Sequence, residues 1–79
     1  MAFYVVIEKI SEDALVATYR FKGDWELTGI FQINKENGEI VLVEQMPGDE
    51  KGHVFRGAAF KILKEWRQGN LPQFAEWAS

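Results

Sequence analysis

Residues 25–33 read Trp25-Glu26-Leu27-Thr28-Gly29-Ile30-Phe31-Gln32-Ile33, and this stretch decides the fold. Its odd-numbered positions hold Gly29 and four large apolar residues, whereas polar residues hold three of the four even positions. Successive side chains of a β-strand point to opposite faces of a sheet, so a period of two predicts a strand with one buried face. The chain should therefore form a sheet that builds its core on one side.

Three further segments are rich in β-branched and aromatic residues, which favour strands. We predict four strands, at about residues 3–10, 14–21, 25–33 and 39–45. The turn clusters between them are Ser11-Glu12-Asp13, Lys22-Gly23-Asp24 and residues 34–38, where Asn37-Gly38 is a hairpin signal. Since each connection is hairpin-sized, the predicted topology is an antiparallel meander.

The lengths of these turns set which face each side chain takes. A three-residue turn at Lys22-Gly23-Asp24 places Phe21 opposite Trp25, Tyr19 opposite Leu27 and Leu15 opposite Phe31. A three-residue first turn keeps Glu8 out of the core, where an unpaired carboxylate would be costly. In the last hairpin, a loop of either two or four residues places Ile40 and Leu42 on the core face. The residues predicted to share the core face are Phe3, Val5, Ile7, Leu15, Ala17, Tyr19, Phe21, Trp25, Leu27, Phe31, Ile33, Ile40 and Leu42.

Helical spacing follows the strands, at about residues 53–68. One broad apolar stripe is formed by Val54, Phe55, Ala58, Ala59, Ile62, Leu63 and Trp66. Gly69 and Pro72 end the helix. We expect Trp66 to be buried beneath the helix, against residues such as Leu27 or Phe31. Gly57 lies inside the helix, which indicates either a close approach to another element or simple tolerance.

The tail, residues 70–79, carries Phe74 and Trp77, two aromatic residues that a disordered segment rarely has. We predict that it folds back along the helix and covers Phe60, which lies off the apolar stripe. The predicted fold is thus a single α+β domain over residues 1–79. It has two layers: a four-stranded antiparallel meander, then one C-terminal helix packed on one sheet face, with a short docked tail.

The composition excludes several kinds of site. Cysteine is absent, so disulfides, thiolate metal sites and cysteine nucleophiles are excluded. No nucleophile has an activating base nearby in sequence, and we predict no enzyme, no cofactor and no metal. Asp49, Glu50 and His53 form a conceivable metal set, but acidic residues before a helix favour a helix start. No targeting or membrane segment is recognisable, so we expect a cytoplasmic protein that does not contact a membrane.

The predicted helix is basic within an acidic chain. Residues 53–68 carry four basic residues and one acidic residue, +4 − 1 = +3, in a chain of net charge −3. The candidate basic face comprises Arg56, Phe60, Lys61, Lys64 and Arg67. It is typical of a solvated helix face or, alternatively, of a surface that binds nucleic acid or an acidic protein. Because the whole chain is acidic, the solvated face is preferred and nucleic acid is not expected as a partner.

The face of the sheet away from the helix is unusually apolar for a solvated face. The candidate interaction surface there comprises Tyr4, Val6, Val16, Ile30, Val41 and Val43. Either a protein partner or a second copy covers it, or the sheet curls, or the tail covers it within one chain.

The sequence therefore favours a non-catalytic protein-interaction domain, with a homodimer as one form. The alternatives are nucleic-acid or acidic-partner binding through the basic helix face and inhibition of a basic enzyme, as immunity proteins do. A further alternative is a small-ligand crevice lined by Trp25, Trp66 and Trp77.

Overall fold

The computed structural model describes residues 4–23 and 26–78. Phe3 and Trp25, both expected on the core face, and Asp24, the last residue of the predicted second turn, lie outside the described residues. Within the described ranges the chain forms five strands and one helix. They are β1 (Tyr4–Glu12), β2 (Val16–Lys22), β3 (Thr28–Asn34), β4 (Ile40–Glu44), α1 (His53–Arg67) and β5 (Phe74–Ala78).

The strands form one antiparallel sheet in the order β4-β3-β2-β1-β5. The first four strands are a meander, and α1 lies against one face over β5, β1 and β3. The predicted α+β class is confirmed. The tail differs from the prediction because it joins the sheet as a strand beside β1 instead of folding back along the helix.

The β2–β3 register differs from the predicted one, yet every side chain keeps its face. Tyr19 lies opposite Phe31 instead of Leu27, a shift of four residues. An even shift preserves the face because strand side chains alternate with a period of two. The three-residue turn prediction is therefore wrong: β2 ends at Lys22 and β3 begins only at Thr28, so the connection is longer.

The first turn also lies later than its predicted position. β1 continues to Glu12, with an irregularity between Lys9 and Ser11. Asp13 then forms the turn, since its Oδ1 accepts hydrogen bonds from the backbone N–H groups of Leu15 and Val16, each at 2.8 Å. These bonds lower the pKa of the Asp13 carboxyl. The local side-chain bonds thus select residues 13–15 for the turn.

The last hairpin has the four-residue loop, one of its two predicted lengths. The N–H of Asn34 donates to the carbonyl oxygen of Glu39 at 2.8 Å and closes a loop of residues 35–38. Gly38 has φ +76°, a conformation that glycine adopts without strain. The loop also positions the side chain of Trp66. The indole Nε1 of Trp66 donates to the Lys35 carbonyl oxygen at 2.9 Å, and the indole ring lies against Gly38. Trp66 packs against the core but is only half-buried, so the prediction of a buried Trp66 beneath the helix is confirmed only in part.

The core lies between α1 and the predicted face of the sheet. Tyr19 and Phe31 stack with ring centroids 5.7 Å apart. The buried apolar residues around them are Val5, Ile7, Ala17, Phe21, Ile33, Met46, Val54, Ala58, Ala59 and Ile62. Leu15 and Leu42 were expected in this core but are exposed. Leu15 falls in the first turn and Leu42 lies on the outermost strand.

The side chain of Asp49, a residue that precedes α1 in the chain, caps the start of the helix. It is 7% exposed. Its Oδ1 accepts from the N–H of Val54 and its Oδ2 from the N–H of Phe55, each at 3.0 Å. The first N–H groups of a helix have no partner within the helix, so both carboxylate oxygens satisfy backbone donors. The side chain of Asp49 is therefore committed to the helix start.

The tail places its two aromatic residues on opposite faces of the sheet. Trp77 lies opposite Val5 on the helix side, and Phe74 lies opposite Glu8 on the other side. A Cβ atom at Gly57 would come within 2.4 Å of the Trp77 ring, so this glycine permits the close approach of α1 to β5. Phe60 is 59% exposed. The prediction that the tail covers Phe60 is wrong, because the tail pairs with β1 as a strand, with Trp77 against Gly57 and Phe74 on the far face of the sheet.

Candidate functional site

The sheet face opposite α1 is not covered by any described element. We call this the open face. The register places the candidate residues Tyr4 and Val6 on β1, Val16 on β2, Ile30 on β3, and Val41 and Val43 on β4. They spread across the sheet rather than gathering in one cluster.

Polar side chains on β2 and its neighbours divide the open face. Arg20 Nη2 on β2 lies 3.1 Å from Glu8 Oε1 on β1. Gln32 Nε2 on β3 donates to Thr18 Oγ1 on β2 at 3.3 Å. Arg20 also lies opposite Ile30, so the charged pair separates Ile30 from β1 and β5. The open face therefore has two apolar areas, one along β1 and β5 and one along β4.

The area along β1 and β5 is bordered by paired polar groups. The hydroxyl of Tyr4 donates to Glu76 Oε2 at 2.5 Å, and this bond raises the pKa of Tyr4. Phe74 is 61% exposed beside a shallow depression of about 340 Å³ whose lining includes Val6, Glu8 and Arg20. The sequence did not assign Phe74 to this face because the tail was not recognised as a strand. The alternation in Phe74-Ala75-Glu76-Trp77-Ala78 was the signal available.

The area along β4 is apolar on both faces of the strand. Val41 is 53% exposed, Leu42 37% and Val43 55%. β4 is an edge strand, so its outer backbone groups have no neighbouring strand within the described part of the chain. Natural edge strands usually carry charges or prolines that prevent pairing with other chains. Within β4 the one charged residue is Glu44, at its end.

The helix presents the predicted basic residues mainly to solvent. Arg56, Phe60, Lys64 and Arg67 are exposed and Lys61 is half-buried. Arg56 Nη1 donates to the Lys51 carbonyl oxygen at 2.8 Å. The ion pairs found among the described residues do not include these four cations. Arg56, Lys64 and Arg67 thus share a solvent-exposed part of the helix with Phe60.

The predicted tryptophan crevice is not formed by the two tryptophans that the structure describes. Trp66 lies against Gly38, while Trp77 lies against Gly57. Residues 57 and 66 are about 13.5 Å apart along a helix, at 1.5 Å per residue. A groove of about 370 Å³ does lie beside Trp66, with Lys9, Glu12 and Lys35 on its wall.

The charges of that groove are paired with each other. Glu12 Oε1 lies 2.6 Å from Lys9 Nζ, and Glu12 Oε2 lies 2.6 Å from Lys35 Nζ. Hydrogen bonds from Lys35 and then Lys9 lower the pKa of Glu12 to about 2. The cluster joins β1 to the β3–β4 loop, so its evident role is to connect these two segments.

Comparisons with protein families, with curated proteins and with solved structures find no match. In the described part of the chain, no helix is long and apolar enough to span a membrane. The same residues hold no cluster of three or more histidine, cysteine or acidic side chains arranged to bind a metal ion. The candidate functional features are therefore the β4 edge and the basic helix face.

Proposed function

We propose that this chain is a non-catalytic protein-interaction domain that binds its partner through β4 and the adjoining open face. The observation that supports this is the run of exposed aliphatic residues Val41, Leu42 and Val43 on an edge strand. We place the domain in the cytoplasm, where a small domain without disulfides is ordinary.

An exposed apolar edge strand favours binding for two reasons. Its outer N–H and C=O groups can hydrogen-bond to another strand, and its side chains lose water-exposed apolar area when they are covered. The other edge, β5, has Glu76 at its centre and a hydrogen bond from Tyr4 to that carboxylate. Charged groups on an edge strand oppose pairing, so β4 is the better binding edge.

We expect Val43→Lys to reduce partner binding at least about tenfold, which corresponds to about 1.4 kcal/mol. A lysine at this position loses hydration when the apolar interface closes over it, and a single ion pair with a nearby carboxylate returns little of that cost. Phe74→Lys is the matched control, because Phe74 is equally exposed at the other end of the open face. The measurement is quantitative capture of the bound protein, or of a second tagged copy, from source cells. Circular dichroism checks that both variants are folded.

Loss of binding with Phe74→Lys but not with Val43→Lys would move the interface to the β1–β5 area. Full binding by both variants would rule out the open face and the β4 edge as the binding surface. The first result would assign binding to the β1–β5 area, and the second would assign it to a surface outside the open face and β4.

A second candidate function is binding of an acidic partner through the basic helix face. It is supported by the exposure of Phe60 among Arg56, Lys64 and Arg67. An aromatic side chain among exposed cations suits an acidic protein segment or a nucleic-acid strand. The net charge of −3 opposes both partners, since both carry negative charge, and it does not distinguish between them.

We expect a Lys64→Glu/Arg67→Glu variant to lose such binding while Val43→Lys keeps it. Titration with a single-stranded oligonucleotide and with a polyglutamate peptide tests both classes. Phosphate binding should weaken steeply between about 50 and 200 mM salt because counterions are released. Equal affinity of the wild type and the charge-reversed variant would exclude this face.

A further inference from the structure

We infer that β4 pairs with β4 of a second copy of this chain, antiparallel, around a two-fold axis that passes beside Val41. This inference rests on the proposed function for the location of the surface and adds the identity of the partner. The two sheets then become one continuous sheet, and the β4 side chains of the two copies contact each other side by side on both faces at the junction.

The hydrogen-bond pattern of the last hairpin determines which backbone groups of β4 are available. Asn34 donates its N–H to Glu39, so residues 34 and 39 form a hydrogen-bonded pair. Hydrogen-bonded and non-hydrogen-bonded pairs alternate along an antiparallel ladder. Val41, opposite Gln32, is therefore bonded to β3. The N–H and C=O groups of Ile40 and Leu42 point away from β3, toward the open edge.

The available groups favour one register between the two copies. Directly opposed residues of two strands share a face, so a two-fold axis must pass beside one residue of β4. An axis at Val41 pairs Ile40 with Leu42 of the second copy. The N–H and C=O groups of Ile40 and Leu42 in both strands are then all used, and they form four hydrogen bonds in total. An axis at Leu42 would pair Ile40 with Glu44. The irregularity in the β3–β4 pairing places Glu44 opposite Ile30. The backbone groups of Glu44 are then bonded to β3, so an axis at Leu42 yields fewer hydrogen bonds between the two copies.

The side chains are compatible with the same register. Val41 meets Val41 of the second copy on the open face, and Ile40 meets Leu42 on the helix side. Glu39 lies opposite Val43 and Glu44 lies opposite Gly38, so no carboxylate directly faces another. Since each copy has a net charge of −3, we expect association to strengthen when salt screens their repulsion. Binding through the basic helix face would show the reverse dependence.

The absence of cysteine permits a direct test with single-cysteine variants of the full chain. In the proposed register Val41→Cys places two thiols at a non-hydrogen-bonded pair, where Cα atoms are about 4.5 Å apart and a disulfide can form. Val43→Cys is the matched control on the same face. Its two copies would lie four residues apart along the strands, about 13 Å, beyond disulfide reach.

We expect mild oxidation to give at least about tenfold more covalent dimer with Val41→Cys than with Val43→Cys. Sedimentation of the wild type should show a dimer in the micromolar range. Faster cross-linking of Leu42→Cys than of Val41→Cys would overturn the register. A monomeric wild type together with no selective cross-linking would overturn the homodimer. The proposed function would then still be decided by Val43→Lys and Phe74→Lys in the capture experiment, so the two failures are distinguishable.

Discussion

Replacing Trp77 with alanine is expected to lower the free energy of unfolding by about 3 kcal/mol. The indole ring lies on Gly57 and fills the space between α1 and β5. Its removal leaves a cavity that the glycine cannot fill, and it weakens the attachment of the last strand. A small domain has about 5–15 kcal/mol of stability in total, so the loss should be evident in chemical denaturation.

Phe74→Ala is the matched control on the same strand. Phe74 is 61% exposed on the open face, and we expect its replacement to change stability by no more than about 0.5 kcal/mol. Hydrogen exchange of the β1 amides should accelerate in Trp77→Ala and stay slow in Phe74→Ala. Equal effects of the two substitutions would contradict the placement of the two aromatic residues on opposite faces.

Phe31→Ala is expected to destabilise the fold by about 3–5 kcal/mol and to leave much of the protein unfolded. Phe31 is fully buried and stacks on Tyr19. The centroid of its ring lies 5.9 Å from that of Phe21 and 6.0 Å from that of Phe55. It therefore joins the sheet to the helix at the centre of the core.

Phe60→Ala removes the same side chain from an exposed helix position, so it controls for the chemistry of the substitution. We expect a change within about 0.5 kcal/mol. Thermal and urea denaturation measure both variants. A large loss of stability in Phe60→Ala would show that another part of the molecule covers this residue.

The strands could be predicted because their signal is local. Alternation of apolar and polar residues identifies a strand and its faces without knowledge of its neighbours. The register was less accessible: Tyr19 lies opposite Phe31 although a shorter turn suggested Leu27. The faces survived this error because an even shift leaves them unchanged.

The candidate surfaces could be predicted in part. The basic residues of α1 follow from helical spacing alone, and the structure places Arg56, Lys64 and Arg67 in solvent. Phe60 is exposed as well, against the prediction that the tail covers it. The open face was identified, but its division by the Glu8–Arg20 pair required the cross-strand register. Leu42 was missed because its position in the sequence marks it as a core residue.

The sequence by itself determined the first four strands, the helix, and which side of each early strand faces the core, since all three depend on periodicities within a few residues. Only the tertiary structure decided that the tail becomes β5, that Gly57 receives Trp77, and that β4 remains an edge. These outcomes depend on pairing between residues far apart in the chain. Whether an apolar strand is covered depends on where the helix lies, and α1 covers β5, β1 and β3 while Val41, Leu42 and Val43 stay exposed.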